Sequence, residues 1–268
     1  MAISSIPVAL TIAGSDSGGG AGIQADLRTF AFHRVHGTSA LTCITAQNTL
    51  GVVRVDALPP EAVVAQIQAV VSDIGVQAAK TGMLLNQPII AAVAEQITAL
   101  SIPNLVVDPV MVSRTGAQLI DDAAIATLKT HLLPHATVVT PNRYEAQILS
   151  GIEITDLNTM QTAAKRIHEL GAATVLVKGG GMSGALRGVD VWFDGTTIEI
   201  LKTQTIETKN THGTGCTLAA AITANLAQDI SLKSAILRAK EYVTTALNYS
   251  LDIGQGQGPV GHFFELVR

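Results

Sequence analysis

The sequence predicts an α/β protein in which a mostly parallel β-sheet is flanked by helices on both faces. Short apolar or β-branched runs alternate with segments of helical periodicity over most of the chain. This alternation is typical of a parallel sheet whose strands are joined by crossover helices. Turns rich in glycine or proline close several of the runs, and 47% of the 268 residues are hydrophobic, which is enough for a sizeable core.

The elements of the first half follow from local patterns. The glycine run 14–22 ends the first apolar strand, and Pro60 occupies a first-turn position that favours a helix start. We predict strands at Val8–Ala13, at Thr38–Thr45, ending at Lys80–Met83 and at Leu105–Asp108, and helices at Ile23–His33, Pro60–Ile74 and Pro88–Leu100.

In the second half the alternation continues and then changes. We predict helices around Asp122–His131, from Pro141 onward and at Thr159–Leu170, with strands at Thr137–Thr140 and Thr174–Lys178. Asp194-Gly195 then separates two β-like runs, Val189–Phe193 and Thr197–Leu201, which is a hairpin signature. Two helices, Thr217–Gln228 and Leu232–Ser250, and a glycine-rich tail end the sequence. Because no linker or repeat interrupts the pattern, we expect a single domain over residues 1–268.

Composition narrows the functional classes. Charged residues make up 14% of the chain, aromatic residues 3%, and the formal net charge is −4 with no basic run. These values argue against a nucleic-acid partner. No apolar run reaches membrane-spanning length, the N-terminus lacks the features of a secretion signal, and the two cysteines lie far apart. We therefore expect a soluble cytoplasmic protein with no membrane or nucleic-acid partner.

Polar side chains lie at the ends of the predicted strands. They are Asp16, Gln47, Lys80, Asp108, Asn142 with Glu145, and Lys178. Ligands of open α/β sheets bind beyond the carboxyl ends of the strands, so this placement predicts one shared cleft. The alternative is that strand ends are polar because they meet water.

A glycine-rich turn, Gly213-Thr214-Gly215-Cys216, runs directly into an apolar, alanine-rich segment. The pattern predicts a loop that opens a buried helix, whose free N–H groups would form an anion site. The helix dipole would also lower the pKa of the Cys216 thiol. The alternative is an ordinary turn before a packed helix, with Cys216 as a small buried side chain.

Two phosphate-binding signatures and one hydrolase signature fail. A Walker A loop needs a Gly-Lys pair, and the sequence contains none. Gly20-Ala21-Gly22 partly matches a dinucleotide fingerprint, but no acidic residue stands between Asp26 and Asp56 to bind a ribose. The nearest candidate for a Ser-hydrolase elbow, residues 181–185, ends in alanine instead of glycine.

Seven segments, taken together and in order, resemble one family. They are Ala13–Asp16, Gly19–Asp26, Thr45–Thr49, Lys80–Met83, Asp108–Met111, Thr140–Asn142 with Glu145, and Gly213–Thr217. The chain looks like a hydroxymethylpyrimidine/phosphomethylpyrimidine kinase of thiamine biosynthesis, a branch of the ribokinase-like superfamily. The resemblance covers about Val8 to Leu226.

The resemblance implies a ribokinase-like fold with a small β element near the active site. It implies ATP-dependent phosphorylation of 4-amino-5-hydroxymethyl-2-methylpyrimidine to the monophosphate and then to the diphosphate. It also implies magnesium and a homodimer. Two positions depart from the family pattern: Gly181 stands where a histidine is common, and no proline follows Asp16.

Site residues follow from the same resemblance, position by position. The anion hole would comprise Gly213, Thr214, Gly215 and Cys216. The pyrimidine would meet Gln47, Asp26, Met83, Ala21 and Gly22. Asp108 and Glu145 would hold magnesium directly or through water, and Lys178, Asn142 and Thr208 would lie on the nucleotide side. Most ribokinase-like enzymes carry an aspartate base at the position of Cys216, so Cys216 would either accept the hydroxyl proton of the substrate or orient that hydroxyl.

Two rival functions remain at this stage. A pyridoxal/pyridoxine kinase would share the fold and phosphorylate a similar hydroxymethyl group, whereas Gln47 with Met83 favours an aminopyrimidine. A non-catalytic pyrimidine or nucleotide sensor could also use this scaffold. It would have no need to keep Asp108, Glu145 and the Gly213–Cys216 turn together.

Overall fold

The computed structural model describes residues 6–112, 119–182 and 184–267. Its main sheet has eight strands in the order β10-β9-β8-β7-β6-β5-β1-β2, and β3 pairs with β4 in a separate two-stranded sheet. The strands are β1 Val8–Ala13, β2 His36–Leu41, β3 Cys43–Asn48, β4 Gly51–Ala57, β5 Ala78–Thr81, β6 Leu105–Val107, β7 Val138–Val139, β8 Val175–Val177, β9 Val189–Phe193 and β10 Ile198–Lys202.

Eight α-helices lie in the described part of the chain. They are α1 Gly22–Phe32, α2 Pro60–Asp73, α3 Gln87–Ala99, α4 Asp122–Thr127, α5 Arg143–Ser150, α6 Leu157–His168, α7 Thr214–Ala227 and α8 Leu232–Asn248. A π-helical turn, Leu128–Leu132, continues α4, so the helical region predicted around Asp122–His131 is present.

The main sheet is parallel from β2 through β1 and β5 to β8, and antiparallel from β8 to β10. The predicted hairpin is therefore confirmed as β9–β10 at one edge. Two apolar cores cover the sheet: α2 to α6 pack on one face, and α1, α7 and α8 pack on the other. The predicted mostly parallel sheet with helices on both faces is confirmed.

Strand order changes direction beside β1. The chain leaves β1 for β2 on one side, and β5 pairs with β1 on the other side. Ligands of open α/β folds bind at such a switch point, beyond the carboxyl ends of the strands. Helix α7 packs against β1, β5 and β6, the central strands of this region.

One strand prediction was wrong. Thr38–Thr45 does not form a single strand, because the main-sheet strand β2 ends at Leu41 and the chain leaves for β3. The N–H of Thr42 still bonds to Ala13 O, whereas Cys43 already pairs with Ala57 of β4. Apolar and β-branched residues continue through this junction without glycine or proline, so the local pattern carries no sign of the change of sheet.

The small sheet β3–β4 confirms the small β element that the resemblance implied. It also corrects the placement of Gln47, which lies within β3 at a bulge and not at the end of a main-sheet strand. Strand β4 is exposed along its whole length. The sequence analysis left β4 unassigned, although Val53-Arg54-Val55-Asp56 alternates apolar and polar residues as a strand does.

The glycine-rich tail packs on the loops at the carboxyl edge of the sheet. The N–H of Gln257 donates to Thr49 O at 3.0 Å, which fastens the tail to the turn between β3 and β4. The N–H of His212 donates to Gly258 O at 3.1 Å, and Val260 N–H returns a bond to His212 O at 3.2 Å. The tail thus connects the small sheet to the loop that precedes α7.

Among the helices of the described ranges, none combines the length and the apolar character that a bilayer crossing requires.

His262, near the end of the tail, makes folding sensitive to acid. Its side chain is buried, and Nε2 lies 2.9 Å from Thr217 Oγ1 in the first turns of α7. Burial, with a smaller effect from the charge of Arg28, lowers the pKa of His262 to about 4. In the unfolded chain the imidazole would protonate near its ordinary pKa of about 6.5. The folded state therefore loses stability as the pH falls from the unfolded pKa towards the folded one.

We expect the free energy of unfolding to fall by about 2 kcal/mol between pH 7.5 and pH 5 through His262 alone. His262→Gln removes the titrating group, so urea denaturation of this variant should show a smaller loss over the same interval. His36→Gln, at an exposed position, serves as the control and should keep the wild-type dependence. Equal pH dependence in wild type and His262→Gln would contradict this account.

Candidate active site

Charged side chains meet at the carboxyl edge of the main sheet. Asp108 follows β6 directly and Lys178 follows β8 directly, and Lys178 Nζ donates to Asp108 Oδ1 at 2.9 Å. Both side chains are largely buried. Burial would lower the pKa of Lys178, but the charges of Asp108 and then Glu145 raise it above its ordinary value. The ammonium group is therefore positively charged at neutral pH.

The Gly213–Cys216 turn forms the start of α7. Gly213 is the N-cap, with φ 79°, and no side chain caps the helix. Thr217 N–H donates to Gly213 O, whereas the N–H groups of Gly215 and Cys216 have no acceptor within the described ranges. Free amides in the first turn of a helix favour a negatively charged ligand. We call residues 213–216 the anion loop.

The anion loop touches the glycine-rich loop that follows β1. We call this loop, residues 14–22, the first glycine loop. A Cβ on Gly213 would lie 1.8 Å from Gly20 O, so only glycine permits this approach. On its other side, a Cβ on Gly215 would lie 3.4 Å from Lys178 Nζ and 3.9 Å from Asp108 Oδ2. The free amides therefore lie between the first glycine loop and the Lys178–Asp108 pair.

Asp16 organises the first glycine loop. Its buried carboxylate accepts the N–H of Gly18 at 2.9 Å, that of Gly20 at 3.0 Å and that of Ala21 at 2.8 Å. His212 Nε2 lies 2.8 Å from Asp16 Oδ2. Burial opposes ionisation, but the hydrogen bonds from His212 and Ala21 dominate together and lower the pKa of Asp16. The loop is thus folded around a carboxylate that is ionised at neutral pH.

Asp26 and Lys80 form a buried ion pair under the site. Lys80 Nζ is 3.0 Å from each carboxylate oxygen of Asp26, and Thr11 Oγ1 donates to Asp26 Oδ2 at 2.7 Å. Both charged side chains are fully buried. A pyrimidine could contact Asp26 only by displacing one of these contacts or by sharing an oxygen with them. The predicted role of Asp26 in binding the substrate stays a prediction.

The prediction that the helix dipole lowers the pKa of the Cys216 thiol was wrong. Burial raises the pKa of the thiol to about 11; Lys80 opposes this effect, and the charges of Asp26 and Asp108 add to it. The backbone amide of Gly22 donates towards the sulfur, which brings the thiol beside the first glycine loop. The sequence revealed the helix terminus but not the two carboxylates packed under it. Cys216 is therefore a protonated thiol at neutral pH.

Glu145 and Asn142 form a capping box at the start of α5. Asn142 Oδ1 accepts the N–H of Glu145 at 3.1 Å, and Glu145 Oε2 accepts the N–H of Asn142 at 2.8 Å. Glu145 Oε1 accepts the N–H of Met111 at 3.2 Å. Burial raises the pKa of Glu145 to about 7; Lys178 opposes this effect and Asp108 adds to it. Asn142 also forms a β-bridge with Lys178, so α5 begins beside the charged pair.

The donor set fits a magnesium ion that binds mainly through water and phosphate. Asp108 Oδ1 is bonded to Lys178, while Oδ2 faces the anion loop. Both oxygens of Glu145 accept backbone amides, which leaves only their remaining lone pairs for a metal-bound water. No group of three or more His, Cys, Asp or Glu side chains in the described residues could hold a metal alone. Magnesium typically binds through one or two carboxylates together with substrate phosphates.

The predicted pyrimidine contacts lie around the same opening. Gln47 is half-buried in β3, and its Nε2 lies 3.4 Å from His212 Nε2. Ala21 and Gly22 open α1 beside Asp16 and Cys216. Met83 O accepts the N–H of Gly14 at 3.2 Å, so Met83 also borders the first glycine loop.

Within the described ranges, no direct contact joins Thr208 to the other predicted site residues. Its hydroxyl lies 3.0 Å from Ser250 Oγ and accepts the N–H of Asn210 at 3.1 Å. These bonds tie it to the segment after α8 and not to Lys178 or Asn142. Its nucleotide role stays a prediction.

Sequence reasoning missed three contributors to this site. It assigned no role to Asp16 beyond its place after a strand, it left Lys80 without its partner Asp26, and it did not use the tail. The alternating glycines 254, 256 and 258 were the available signal for close backbone packing.

Replacing Gly213 by alanine should disrupt the junction of the two loops. The new Cβ would clash with Gly20 O at 1.8 Å and would force a non-glycine residue to φ 79°. We expect a loss of about 3 kcal/mol or more in the free energy of unfolding, measured by urea denaturation. The matched control is Gly180→Ala, because a Cβ there would meet no atom of the described residues within 4 Å apart from its chain neighbours. Comparable stability of the two variants would show that the loops are not locked together as described.

Comparisons with known proteins agree with this geometry. The family model described as phosphomethylpyrimidine kinase matches residues 16–261. The hydroxymethylpyrimidine/phosphomethylpyrimidine kinase of Synechococcus elongatus is 63% identical over 97% of this chain and 99% of its own length. An ADP complex of Bacillus subtilis pyridoxal kinase superposes with a TM-score of 0.93 at 43% identity, over 98% of this chain and 100% of that one.

A second solved structure carries the family name itself. Phosphomethylpyrimidine kinase from Clostridium difficile superposes with a TM-score of 0.81 at 39% identity, over 90% of this chain and 99% of that one. The mostly parallel sheet flanked by helices and the small β3–β4 sheet fit the ribokinase-like kinases among which these neighbours fall. The chain belongs to the phosphomethylpyrimidine kinase family.

Proposed function

We propose that this kinase transfers the γ-phosphoryl group of ATP to the hydroxymethyl oxygen of 4-amino-5-hydroxymethyl-2-methylpyrimidine, and then phosphorylates the monophosphate to the diphosphate for thiamine biosynthesis. The observation that carries the proposal is the position of the anion loop. His212, directly before the loop, contacts the Gln47 side of the opening, and Gly215 faces Asp108 and Lys178 on the other side. A small alcohol and a triphosphate could therefore meet at residues 213–216.

The free backbone amides of Gly215 and Cys216 would make the main chemical contribution to phosphoryl transfer. In phosphoryl transfer the bond from the γ-phosphorus to the β,γ-bridging oxygen breaks, a bond from the substrate oxygen to phosphorus forms, and ADP leaves. The hydroxyl proton passes to an oxygen of the transferring phosphoryl group or to water. Catalysis of this step depends on positioning and on stabilising negative charge. The N–H groups of Gly215 and Cys216 point from the helix start with no acceptor in the described chain. They are suited to bind the oxygens of the transferring group.

Lys178 and Asn142 would border the nucleotide phosphates. Lys178 is a buried cation held by Asp108, and Asn142 lies beside it at the start of α5. The related Bacillus subtilis kinase was solved as an ADP complex, which supports a nucleotide ligand for this chain. Thr208 would contribute from the segment after β10, on the adenine side.

Magnesium is proposed as the metal cofactor, with Asp108 as a ligand or water holder and Glu145 acting through water. When bound, the ion neutralises charge on the phosphates of ATP. Hydrogen bonds orient both carboxylates that would hold the ion. Lys178 binds one oxygen of Asp108, and two backbone amides bind the carboxylate of Glu145.

On the pyrimidine side, Gln47 would read the aminopyrimidine edge, because an amide offers both a donor and an acceptor. The pyrimidine ring would be lined by Met83, Ala21 and Gly22. Asp26, which lies under the site, would contact the substrate from that side. The thiol of Cys216 lies beside Gly22, close to where the hydroxymethyl group would lie. Since the pKa of the thiol is raised, we assign Cys216 to orienting the hydroxyl instead of removing its proton.

A homodimer is also proposed. The β3–β4 hairpin exposes apolar side chains that the described part of the chain leaves uncovered, with Val53 at 82% and Leu50 at 68% exposed. A second copy of the chain would bury this surface near the pyrimidine pocket, and sedimentation that finds only monomer at micromolar concentration would reject the proposal. The two free cysteines agree with a reducing compartment, and we propose the cytoplasm.

A coupled assay of ADP release tests the activity. We expect turnover with the hydroxymethylpyrimidine and with its monophosphate, a larger kcat/KM for the hydroxymethylpyrimidine than for pyridoxal, and loss of turnover on removing magnesium with a chelator. Mass spectrometry of the products would distinguish one phosphoryl addition from two. Turnover only with pyridoxal would support the pyridoxal kinase alternative, and no turnover with any of these alcohols would support a sensor.

Substitution of Cys216 tests the role of the thiol. If the thiol orients the substrate hydroxyl, Cys216→Ala should lower kcat by about 100-fold with little change in the KM of either substrate. Cys216→Ser keeps a small hydrogen-bonding group and should lose less. Unchanged turnover in Cys216→Ala would reject any catalytic role for this residue.

A further inference from the structure

The ring of His212 joins three parts of the site that lie far apart in sequence. It precedes the anion loop, its Nε2 lies 2.8 Å from Asp16 Oδ2, and the same nitrogen lies 3.4 Å from Gln47 Nε2. The side chain is 20% exposed, so the ring is held within the opening and not on the open surface.

The contact with Asp16 determines which ring nitrogen carries a proton. An ionised carboxylate only accepts hydrogen bonds, and hydrogen bonding holds Asp16 ionised in this loop. Nε2 of His212 must therefore bear the hydrogen and donate it to Asp16. A protonated ring nitrogen has no lone pair, so it cannot accept a hydrogen bond from the amide of Gln47.

Thr45 restricts the orientation of the Gln47 side-chain amide from the side opposite His212. Its single hydroxyl proton is donated to Ser15 O at 2.7 Å. Thr45 Oγ1 therefore acts as an acceptor towards the Gln47 amide, whose Oε1 lies 3.3 Å away. A half-turn about the last side-chain bond of Gln47 exchanges its oxygen and nitrogen. It would then give the NH₂ group to Thr45 Oγ1 as a donor. The carbonyl oxygen would face the Nε2–H of His212 and share that hydrogen with Asp16, as the longer branch of a three-centre hydrogen bond.

The protein fixes the ring of His212 from its backbone and from one face. The backbone forms a parallel bridge with the tail at Pro259, through bonds to Gly258 O and from Val260 N–H. Ring atom Cδ2 lies 2.3 Å from where a Cβ of Gly20 would be, so the ring rests directly on the peptide of Gly20. The imidazole therefore has little room to turn away from Asp16 and Gln47.

We propose that His212 is a positioning residue for the pyrimidine. Its Nε2 proton, held by Asp16, directs the carbonyl oxygen of Gln47 towards the anion loop and thereby fixes which amide groups meet the substrate ring. The inference rests on the proposed contact between Gln47 and the pyrimidine. His212 takes no part in proton transfer, because its proton is committed to Asp16.

Steady-state kinetics of four variants test the proposal. His212→Leu removes the N–H donor and should raise the KM for the hydroxymethylpyrimidine by about tenfold, the effect of one hydrogen bond of ordinary strength, with the KM for ATP within about twofold. His212→Gln keeps an N–H donor near the position of Nε2 and should recover most of the loss. Gln47→Ala provides the reference effect, and His131→Leu, at an exposed position, should match wild type.

The double variant that combines His212→Leu with Gln47→Ala tests whether His212 acts through Gln47. If His212 acts through Gln47, His212→Leu should add little to the KM effect of Gln47→Ala. Equal rises in the KM for ATP and for the pyrimidine, or no rise in either, would overturn the proposal. KM effects of His212→Leu and Gln47→Ala that add fully in the double variant would also overturn the proposal. If Gln47→Ala itself leaves the pyrimidine KM unchanged, the proposed Gln47 contact fails together with the inference. A clear effect of Gln47→Ala with none from His212→Leu overturns the inference alone.

Nitrogen-15 NMR of the wild-type protein tests the same point without any variant that could misfold. We expect the neutral form of His212 to carry its hydrogen on Nε2, and adding the pyrimidine should leave that tautomer unchanged. A hydrogen on Nδ1, with Nε2 unprotonated, would overturn the proposal.

Discussion

The close approach of Gly213 to Gly20 is the contact on which the site depends. It brings a helix start from late in the chain against the loop that follows the first strand, at a distance that no Cβ permits. Because the free amides of residues 215 and 216 belong to that helix start, the approach also fixes where an anion would lie. Asp16 supports one side of this junction through four hydrogen bonds, and the tail supports it through His212.

Charge in the site is arranged in pairs, and each pair is held by other groups. Lys80 neutralises Asp26 beneath the thiol, while Lys178 neutralises one oxygen of Asp108 beside the anion loop. Breaking a buried pair by removing one partner is typically costly, because the remaining charge stays desolvated. Burial raises the pKa of Cys216, and the carboxylates Asp26 and Asp108 add to this effect. A neutral thiol among paired charges suits a loose phosphoryl transfer, in which a strong base has little to do.

Much of the fold could be predicted from local pattern, because helix and strand periodicities report which faces are buried. The parallel sheet, the β9–β10 hairpin and the helix after the anion loop were predicted in this way. The division of Thr38–Thr45 between two sheets was not, because β-branched residues suit either sheet equally well. The resemblance implied a small β element, but only the structure shows that Gln47 lies inside it.

The sequence by itself determined the order of strands and helices, the glycines that permit tight turns, and the residue types available at the strand ends. Only the tertiary structure decided which of those residues meet. These contacts include Asp16 with His212, Asp26 with Lys80, and the tail with Thr49, which are separated by 54 to 207 positions along the chain. Such pairs leave no periodic signal. The pKa of Cys216 shows the physical reason most clearly. The helix start is local and can be read from sequence, whereas the burial and the carboxylates that outweigh it come from α1 and from the end of β6, both distant along the chain.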